Sequence, residues 1–375
     1  MNNPKALYIH IPFCNNICSY CDFCKMKAKP PVKSRYIDYL CKEIDLYGIM
    51  LADVKTLYIG GGTPLSLSPE LLLQLFNKLS IYIDYKQLSE FTIETNPNDI
   101  TAEHLQLLRS YCISRINLGV QSFNPKKLKI LNRNHNKKTV KKAINLLKAY
   151  GFTNIGFDII FGVGNDSYRQ VKRDLNIAIK LNITHLSVYS LIIEDKTLIK
   201  YRLMQGKYHP CSDDREAEIY QKVIYYLKKK GFIHYELSNF AKPHYESLHN
   251  YVYWNNEYYF GLGAGAAGYY NNIRYINGKN LQSYFNGIDS AQPFYQEQVE
   301  LSDNDRMKEE MILGLRKITG INLKKFKNKY QTDPLIAFPF IEKLIEKGML
   351  KTENDAIFIP EEKLYLSNEV LINFI

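Results

Sequence analysis

Three cysteines near the start of the chain form the spacing with the most chemical content. Cys14, Cys18 and Cys21 stand in a C-x3-C-x2-C run that directly follows an apolar segment. Three thiolates can hold three irons of a [4Fe-4S] cluster, which ordinarily has four cysteine ligands. A set of three leaves one iron open to a small molecule, and an open coordination position is where metal chemistry takes place. The spacing therefore predicts an iron–sulfur cluster with one accessible iron.

Structural zinc is the alternative for a short cysteine cluster, because zinc binds four ligands in a closed tetrahedron. Cys24 is available as a fourth thiol. Zinc sites more often combine two distant C-x2-C pairs, or a cysteine pair with a histidine pair. Here all the thiols lie within residues 14–24. The spacing thus favours an iron–sulfur cluster over zinc.

Further polar motifs stand along the predicted strands and the loops that follow them. A glycine loop (residues 60–64, GGGTP) lets the backbone approach a ligand closely. Glu94 offers a carboxylate and Gln121 an amide. Arg133 offers a guanidinium, which can bind a carboxylate with two donors. Asp158 lies inside an otherwise apolar strand, which costs stability unless the carboxylate is paired or faces a site. Singly, each has an ordinary alternative, such as a turn, a strand stop or a solvated side chain; together they would suit a zwitterionic, ribose-bearing ligand.

The elements that position these groups alternate between strands and helices from residue 7 to about 232. Apolar runs bounded by turn residues predict six strands, at residues 7–11, 56–59, 91–94, 115–119, 155–161 and 186–191. Amphipathic runs between them predict helices, among them residues 69–83, 102–110, 139–150, 170–181 and 217–230. Six short-linked β/α repeats predict a parallel sheet that is too small to close an eight-stranded barrel. The predicted fold is therefore α/β, a partial (β/α)6 barrel with its active residues at the carboxyl ends of the strands.

Beyond residue 235 the pattern changes. Residues 236–300 are rich in aromatic side chains and glycine without a clear repeat, and we expect them to form a connecting segment. Residues 301–375 predict three helices and then a hairpin, at 305–316, 323–330, 335–347 and 350–359. That order is typical of a small α+β, winged-helix-like domain. We therefore expect three units, at residues 1–235, 236–300 and 301–375.

Composition disfavours several classes of protein. The 375 residues are 46% apolar, enough for a full core, and show neither a secretory signal nor an apolar run of transmembrane length. We therefore expect a cytoplasmic protein with at most a peripheral membrane contact. We expect Cys41, Cys112 and Cys211 to be reduced and to pack as small hydrophobic side chains. The net charge of +11 comes from dispersed lysines, which favours solvated helix faces over a nucleic-acid groove.

In this order, the motifs resemble those of radical S-adenosylmethionine (SAM) proteins. The resemblance covers nearly the whole chain. Among radical SAM proteins, the motifs resemble more specifically those of one group, the oxygen-independent coproporphyrinogen III oxidases and the HemW-type heme chaperones. It rests on residues 8–14 (YIHIPFC), 20–23 (YCDF), 60–64 (GGGTP), 119–123 (GVQSF) and 235–243 (YELSNFAKP). The ordered combination is highly specific.

The resemblance implies a role for each site residue. Cys14, Cys18 and Cys21 would ligate the cluster, and the amino and carboxylate groups of SAM would chelate the open iron. Contacts to SAM are implied for Tyr8, Tyr20, Gly61, Gly62, Thr63, Glu94, Gln121, Arg133 and Asp158. An electron from a partner donor would reduce the cluster, which would split SAM into methionine and a 5′-deoxyadenosyl radical. The cofactor supplies this chemistry and the protein orients it, so no residue is assigned as catalytic.

Two features separate the chaperones from the oxidases. The oxidases carry a C-x3-C-x2-C-x-C pattern, and Phe23 stands here where they have the fourth cysteine, so we interpret Cys24 as a non-ligand. Residues 249–254 (HNYVYW) resemble a chaperone signature proposed to bind heme, in which His249 would ligate the iron. The alternative is that His249 orders a loop by hydrogen bonds. This chain departs from the relatives' pattern at residues 162–166 and at Leu248, Ala264 and Ala267.

The resemblance implies that the chain binds heme and delivers it to recipient hemoproteins. The predicted cofactors are then a [4Fe-4S] cluster, SAM and heme. One alternative is coproporphyrinogen III oxidase activity, which Phe23 disfavours. Another is a nucleic-acid-binding protein with a structural metal, which would contain zinc without iron.

Overall fold

Six parallel strands in chain order form the centre of the molecule. The computed structural model describes residues 3–291 and 295–375. The central strands pair in sequence, each parallel to the next, and are β1 (Ala6–Ile11), β2 (Thr56–Gly61), β3 (Glu90–Thr95), β4 (Arg115–Gln121), β5 (Ile155–Phe161) and β6 (His185–Ser190). The helices that connect them are α1 (Pro30–Tyr47), α2 (Pro69–Leu79), α3 (Ala102–Ser110), α4 (Pro125–Ile130), α5 (Lys137–Ala149) and α6 (Tyr168–Lys180). The prediction of an α/β fold with six β/α repeats is confirmed.

The pattern of apolar residues explains these elements. Strands of a parallel sheet are covered on both faces, so they read as nearly continuous apolar runs, and β1 is buried at all but one of its positions. The helices bury one stripe each. In α5 the stripe consists of Val140, Ala143, Ile144 and Leu147, spaced three and four residues apart. Asn136 caps the same helix, because its side chain accepts hydrogen bonds from two backbone amides of the first turn.

The segment 236–300, which we expected to connect two units, adds strands to both edges of the same sheet. After α7 (Leu198–Met204) and α8 (Asp213–Lys229), the short strands β7 (Ile233–His234) and β8 (Asn239–Ala241) extend the sheet beyond β6. On the far side, β9 (Tyr259–Leu262) runs parallel to β1 and is followed outwards by β10 (Ala267–Tyr270), β11 (Ile273–Asn277) and β12 (Tyr295–Glu300). The helices α9 (Leu248–Trp254) and α10 (Leu281–Asp289) belong to the same segment. The expected boundary at residue 235 therefore lies between two strands of one sheet.

The C-terminal part has its own small antiparallel sheet. Its helices are α11 (Asp303–Gly314), α12 (Leu323–Tyr330), α13 (Pro334–Ala337), α14 (Phe340–Glu346) and α15 (Ser367–Leu371). Its three strands, β13 (Ile321–Asn322), β14 (Lys351–Glu353) and β15 (Ala356–Phe358), pair in the order β13–β15–β14. The helix predicted at 335–347 is divided into α13 and α14, because Pro339 disfavours helical backbone at Phe338.

Among the residues that the structure describes, none of the helices combines the length and the apolar character needed to cross a membrane.

Candidate functional site

One cavity of about 540 Å³ lies at the carboxyl ends of the central strands. It brings together most of the predicted site residues, namely Cys14, Cys18, Cys21, Tyr20, Gly61, Gly62, Thr63, Glu94, Gln121, Arg133 and Asp158. Two predicted residues, Tyr8 and His249, do not line it. The roles inferred for these side chains stay predictions, but the fold brings the side chains that line the cavity close together.

The loop that carries the three cysteines is fixed by hydrogen bonds to the segment after α4. The backbone amide of Ser19 donates to the carbonyl of Leu131 at 3.1 Å. The side chain of Asn16 donates to the carbonyl of Asn132 at 2.6 Å, and the side chain of Asn132 donates back to the carbonyl of Ile17 at 2.7 Å. The loop is thus positioned by residues more than one hundred positions away in sequence.

The three thiols face the same cavity with donors beside two of them. A guanidinium nitrogen of Arg133 (Nη1) lies 3.2 Å from Cys18 Sγ, and the hydroxyl of Thr63 lies 3.7 Å from Cys14 Sγ. Burial raises the pKa of the Cys21 thiol to about 11, so it is protonated until a metal displaces the proton. Within residues 3–291 and 295–375, no group of three or more His, Cys, Asp or Glu side chains is arranged to hold a metal ion. Cys14, Cys18 and Cys21 nevertheless line the same cavity, as three ligands of a [4Fe-4S] cluster would.

The glycine loop after β2 approaches the cysteine loop more closely than other residues would allow. Gly61 has φ +106°, and a Cβ there would lie 2.5 Å from the ring of His10. A Cβ on Gly62 would lie 3.0 Å from Cys14 Sγ. The amide of Gly61 donates to Glu94 Oε2 at 3.2 Å. Glycine at position 61 therefore lets the backbone pack against His10, and glycine at position 62 lets it approach Cys14.

Two half-buried carboxylates, those of Glu94 and Asp158, face the cavity from β3 and β5. Glu94 accepts a hydrogen bond from the hydroxyl of Tyr58 at 2.5 Å, and Asp158 accepts from Asn117 Nδ2 at 3.0 Å on each oxygen. Burial, and then the charge of Asp158, raise the pKa of Glu94 to about 7. Burial likewise raises the pKa of Asp158. In the described chain neither carboxylate has a lysine or arginine within salt-bridge distance, so both can receive an ammonium or hydroxyl group of a ligand.

The carboxyl end of β4 supplies the amide of Gln121, and the segment after α4 supplies the guanidinium of Arg133. The pairing of β4 with β5 shifts register between Gly119 and Gln121, and Gln121 has φ +63°. A bulge of this kind re-aims a side chain, here into the cavity. Arg133 donates to Asn96 Oδ1 at 2.6 Å and to the carbonyl of Gly119. Asn96 in turn donates to the hydroxyl of Thr63 at 2.7 Å, which links the cation to the glycine loop.

Tyr8 and Cys24 lie outside the cavity. The Tyr8 hydroxyl is 3.0 Å from His10 Nδ1, and the Tyr8 ring packs against Tyr58 with the ring centroids 6.1 Å apart. Tyr8 therefore supports a residue of the cavity wall. Cys24 Sγ lies 3.7 Å from the carbonyl oxygen of Lys279, and the Cys24 side chain packs against Gly265 in the loop between β9 and β10. Its thiol lies apart from the other three.

His249 occupies the opposite end of the barrel. It lies in α9 and is fully buried, with Nδ1 2.9 Å from the hydroxyl of Thr56 and Nε2 2.8 Å from the hydroxyl of Tyr253. Burial lowers its pKa to about 3. Thr56 is the first residue of β2, whereas Gly61 at the cavity is the last. Five residue steps of strand separate the two ends by roughly 16 Å.

Glu90 fixes the start of α9 at that end. Its carboxylate accepts hydrogen bonds from the amides of Leu248 (3.0 Å) and His249 (3.2 Å) and from the hydroxyl of Ser247 (3.2 Å). Arg115 Nη1 lies 3.8 Å from the same carboxylate, and both side chains are buried. Two groups of this network, Arg115 and Ser247, also line the cavity floor. The capped helix therefore closes the amino end of the barrel beneath the cavity.

Several cavity residues escaped the sequence-based prediction. Tyr58, Asn96, Arg115, Asn117 and His185 all line the cavity. Asn117 is a polar residue inside an apolar strand, the same signal that identified Asp158. His185 is the first residue of β6 and lies outside the strand predicted at 186–191. Asn96 directly follows the last residue of β3, where a polar residue also suits an ordinary turn.

Comparisons with known proteins agree with this geometry. Residues 8–178 match the Radical SAM superfamily, and residues 301–365 match the HemN C-terminal domain. Heme chaperone HemW of Bacillus subtilis (strain 168) is 38% identical over 376 residues, covering 99% of each chain. Heme chaperone HemW of Lactococcus lactis subsp. lactis (strain IL1403) is 36% identical over 376 residues, covering 100% of this chain and 98% of the relative.

Among solved structures, coproporphyrinogen III oxidase (HemN) from Escherichia coli, a radical SAM enzyme, matches with a TM-score of 0.85. The match covers 99% of this chain and 90% of the other at 22% identity, so it establishes the fold alone. Sequence identity above 35% over the full length carries more weight. This chain therefore belongs to the HemW family of the radical SAM superfamily.

Proposed function

We propose that this protein is a heme chaperone, which binds heme and delivers it to recipient hemoproteins. The observation that carries the proposal is the full-length similarity to two proteins named heme chaperone HemW, at 36% and 38% identity. Phe23 supports it, because this aromatic residue lines the cavity mouth where the related oxidases have a further cysteine.

We further propose that the cavity holds a [4Fe-4S] cluster and SAM. Cys14, Cys18 and Cys21 would hold the cluster, which when reduced by an electron donor supplies the electron that cleaves SAM. Glu94 would accept the ammonium group of SAM, and Asp158 its ribose hydroxyls, because both carboxylates line the cavity and, in the described chain, neither forms a salt bridge with a lysine or arginine. Arg133 would hold its carboxylate, since a guanidinium binds carboxylates with two donors.

For heme, the candidate axial ligand is His249. A neutral imidazole is the form that ligates iron, and burial keeps this histidine neutral. Both ring nitrogens lie within hydrogen-bond distance of hydroxyls, those of Thr56 and Tyr253. Ligation at Nε2 therefore requires that the contact with Tyr253 be broken and that α9 expose this nitrogen. We propose that α9 moves when heme binds.

A heme titration tests this proposal. The wild-type protein and the variants His249→Ala and His244→Ala would be titrated with ferric heme, and transfer would be followed with apomyoglobin as acceptor. His244 is the matched control, an exposed histidine five residues earlier in the chain. We expect the wild type and the control to share one heme spectrum and affinity, and His249→Ala to lose the axial-ligand features. Unchanged binding in His249→Ala would remove His249 as the ligand, and failure of the wild type to bind or transfer heme would contradict the chaperone proposal.

The second candidate function is coproporphyrinogen III oxidase activity, which the fold shared with HemN favours. Anaerobic incubation of the reduced, cluster-loaded protein with coproporphyrinogen III tests it. Our proposal predicts no conversion of propionate to vinyl groups. Vinyl products at a rate that depends on SAM would replace the chaperone proposal with the oxidase.

A further inference from the structure

We propose that the C-terminal part of the chain holds α9 closed and thereby controls the access of heme to His249. The attachment of α9 is independent of the proposed function, whereas its consequence for heme rests on that function. Different parts of the molecule hold the two ends of this seven-residue helix. Glu90 of the central sheet fixes the amino end, and the segment after α11 reaches the carboxyl end.

Two cationic side chains contact the carboxyl end of α9. The guanidinium carbon of Arg316 lies 4.7 Å from the centroid of the Trp254 ring, within the range of a cation–π contact. Lys317 Nζ donates a hydrogen bond to Asn255 Oδ1 at 2.7 Å. Cations near the end of a helix also interact favourably with its unpaired carbonyl groups. These contacts fix the position of the last turn of α9.

Backbone hydrogen bonds fix the segment that carries both cations. The amide of Leu237 donates to the carbonyl of Arg316 at 3.0 Å, and the amide of Ile318 donates to the carbonyl of Tyr235 at 3.2 Å. The segment thus lies against the loop between β7 and β8, two strands of the main sheet. Arg316 and Lys317 are therefore held on a fixed support, and α9 is the element that moves.

The carboxyl end of α9 is attached less firmly than the amino end. Trp254 Nε1 and Arg316 Nε are buried and, within the residues that the structure describes, have no hydrogen-bond partner, which costs free energy in the closed state. Burial also lowers the pKa of Lys317, because the charged ammonium loses solvation. At the amino end, in contrast, the Glu90 carboxylate accepts three hydrogen bonds. Opening therefore starts at the carboxyl end, with the amino end as its pivot.

Release of the carboxyl end affects His249 through Tyr253. The Tyr253 hydroxyl lies 2.8 Å from His249 Nε2, and the Tyr253 ring packs edge-on against Tyr259 with the centroids 4.6 Å apart. Once the last turn moves, Tyr253 loses Tyr259 as a packing partner, and its side chain is free to leave Nε2. The neutral imidazole can then ligate iron. Lys317 is accordingly a positioning residue, which acts on heme binding without touching heme.

Two rates should report the opening of α9. If heme binds only the open form, its association rate is proportional to the fraction of molecules that is open. Hydrogen exchange of the α9 amides depends on the same fraction. A substitution that loosens the carboxyl end should therefore raise both rates by the same factor, and one that tightens it should lower both.

Three variants of the full-length protein provide the test. Lys317→Met removes the ammonium and keeps a side chain of similar length. Asn255→Asp keeps the shape of the side chain and turns the contact with Lys317 into an ion pair, whose hydrogen bond is stronger. Lys324→Met is the matched control, because it breaks an exposed pair with Asp355 in the same part of the chain. Thermal unfolding of each variant verifies that it is folded.

The measurements separate the attachment of α9 from heme binding. Hydrogen exchange over residues 250–254 and acrylamide quenching of Trp254, the single tryptophan of the chain, are measured without heme. Stopped-flow mixing with ferric heme then gives the association rate. We expect Lys317→Met to raise the exchange rate and the association rate by about fivefold or more, Asn255→Asp to lower both, and Lys324→Met to match the wild type.

An exchange rate in Lys317→Met equal to that of the control would overturn the proposal. So would faster exchange with an unchanged association rate, because α9 would then open without admitting heme. Failure of the wild type to bind heme would contradict the proposed function and with it the consequence for heme. Exchange and quenching would then still decide whether the C-terminal part holds α9.

Discussion

The two ends of the barrel contrast in how their polar groups are used. Glu94 near the carboxyl end of β3 and Asp158 in the middle of β5 face a cavity of about 540 Å³ and, in the described chain, form no salt bridge with a lysine or arginine. At the amino ends, Glu90 accepts hydrogen bonds from three donors at the start of α9, and both nitrogens of His249 lie within hydrogen-bond distance of a hydroxyl. The first end is prepared to receive a ligand, whereas the second must open before it can bind one.

Tyr58 contacts groups at both ends. The hydroxyl of Tyr58 donates to Glu94 at the cavity, and its ring packs against His249 with the centroids 5.2 Å apart. A shift of α9 therefore removes a packing partner from a residue that holds a cavity carboxylate. This contact offers a physical route by which heme at one end and SAM at the other could influence each other, and each prediction below tests one side of the contrast.

The largest effect is expected at the cysteines. Cys14→Ser, Cys18→Ser and Cys21→Ser should each abolish most of the reconstituted [4Fe-4S] cluster, because each removes one of the three proposed ligands. Cys24→Ser is the matched control, since its thiol points away from the cavity towards Lys279. Iron and sulfide content and the spectrum of the reduced cluster measure the outcome. Loss of the cluster in Cys24→Ser would contradict the assignment of three ligands.

The next effect concerns the closed end. Glu90→Gln should lower the free energy of unfolding by about 2–4 kcal/mol, because it leaves Arg115 buried without its opposite charge. Denaturant unfolding measures this, and hydrogen exchange should show lost protection at Leu248 and His249. Glu257→Gln is the control, since it breaks only a surface pair with Lys5 and should cost less than about 1 kcal/mol. Equal effects of the two substitutions would refute the role given to Glu90.

The open end should bind SAM in a pH-dependent way. Glu94 is flanked by Asp158, Tyr8 and Tyr58, and burial raises its pKa to about 7. In the proposed assignment the ammonium of SAM pairs with the ionised carboxylate, so protonation of Glu94 would compete with binding. Between pH 7 and pH 6 the affinity of the cluster-loaded protein should fall by roughly fivefold to tenfold. Calorimetry over this range measures it, and Glu94→Gln should bind weakly with a flatter profile; a wild-type profile as flat as that of the variant would be inconsistent with the assignment.

The smallest effect is expected from a substitution of Tyr58, which contacts groups at both ends. Tyr58→Phe keeps the ring against His249 and removes the hydrogen bond that lowers the pKa of Glu94. The pH midpoint for SAM binding should therefore rise, by about one unit or less. Protection of the α9 amides should stay unchanged, because the packing is retained. A loss of α9 protection in this variant would mean that the hydroxyl, and not the ring, supports the helix.

The sequence was sufficient for the central sheet and much of the cavity, for a clear reason. Apolar runs separated by amphipathic helices specify parallel strands, and parallel strands bring their carboxyl ends together, so Gly61 and Glu94 could be placed correctly. The strands β8 and β9 within 236–300 could not be found, because they have three and four residues and give too short a pattern.

The position of His249 in the fold could not be predicted from the sequence either. Its partner Thr56 is 193 residues away, and no local pattern encodes a contact at that separation. Asn96 is a similar case, since its link between Thr63 and Arg133 depends on three segments meeting in space. Sequence motifs identified the chemical groups. Only the packing shows that Glu94 and Asp158 face an open cavity, whereas His249 is buried and hydrogen-bonded.

The distance between the cluster and the bound heme tests this contrast most directly. Pulsed EPR on protein that contains a reduced [4Fe-4S] cluster and low-spin ferric heme measures it. Two sites at opposite ends of a six-residue strand predict an iron–iron separation of about 15 Å or more. A separation below about 10 Å would place heme in the same cavity as the cluster and contradict the account.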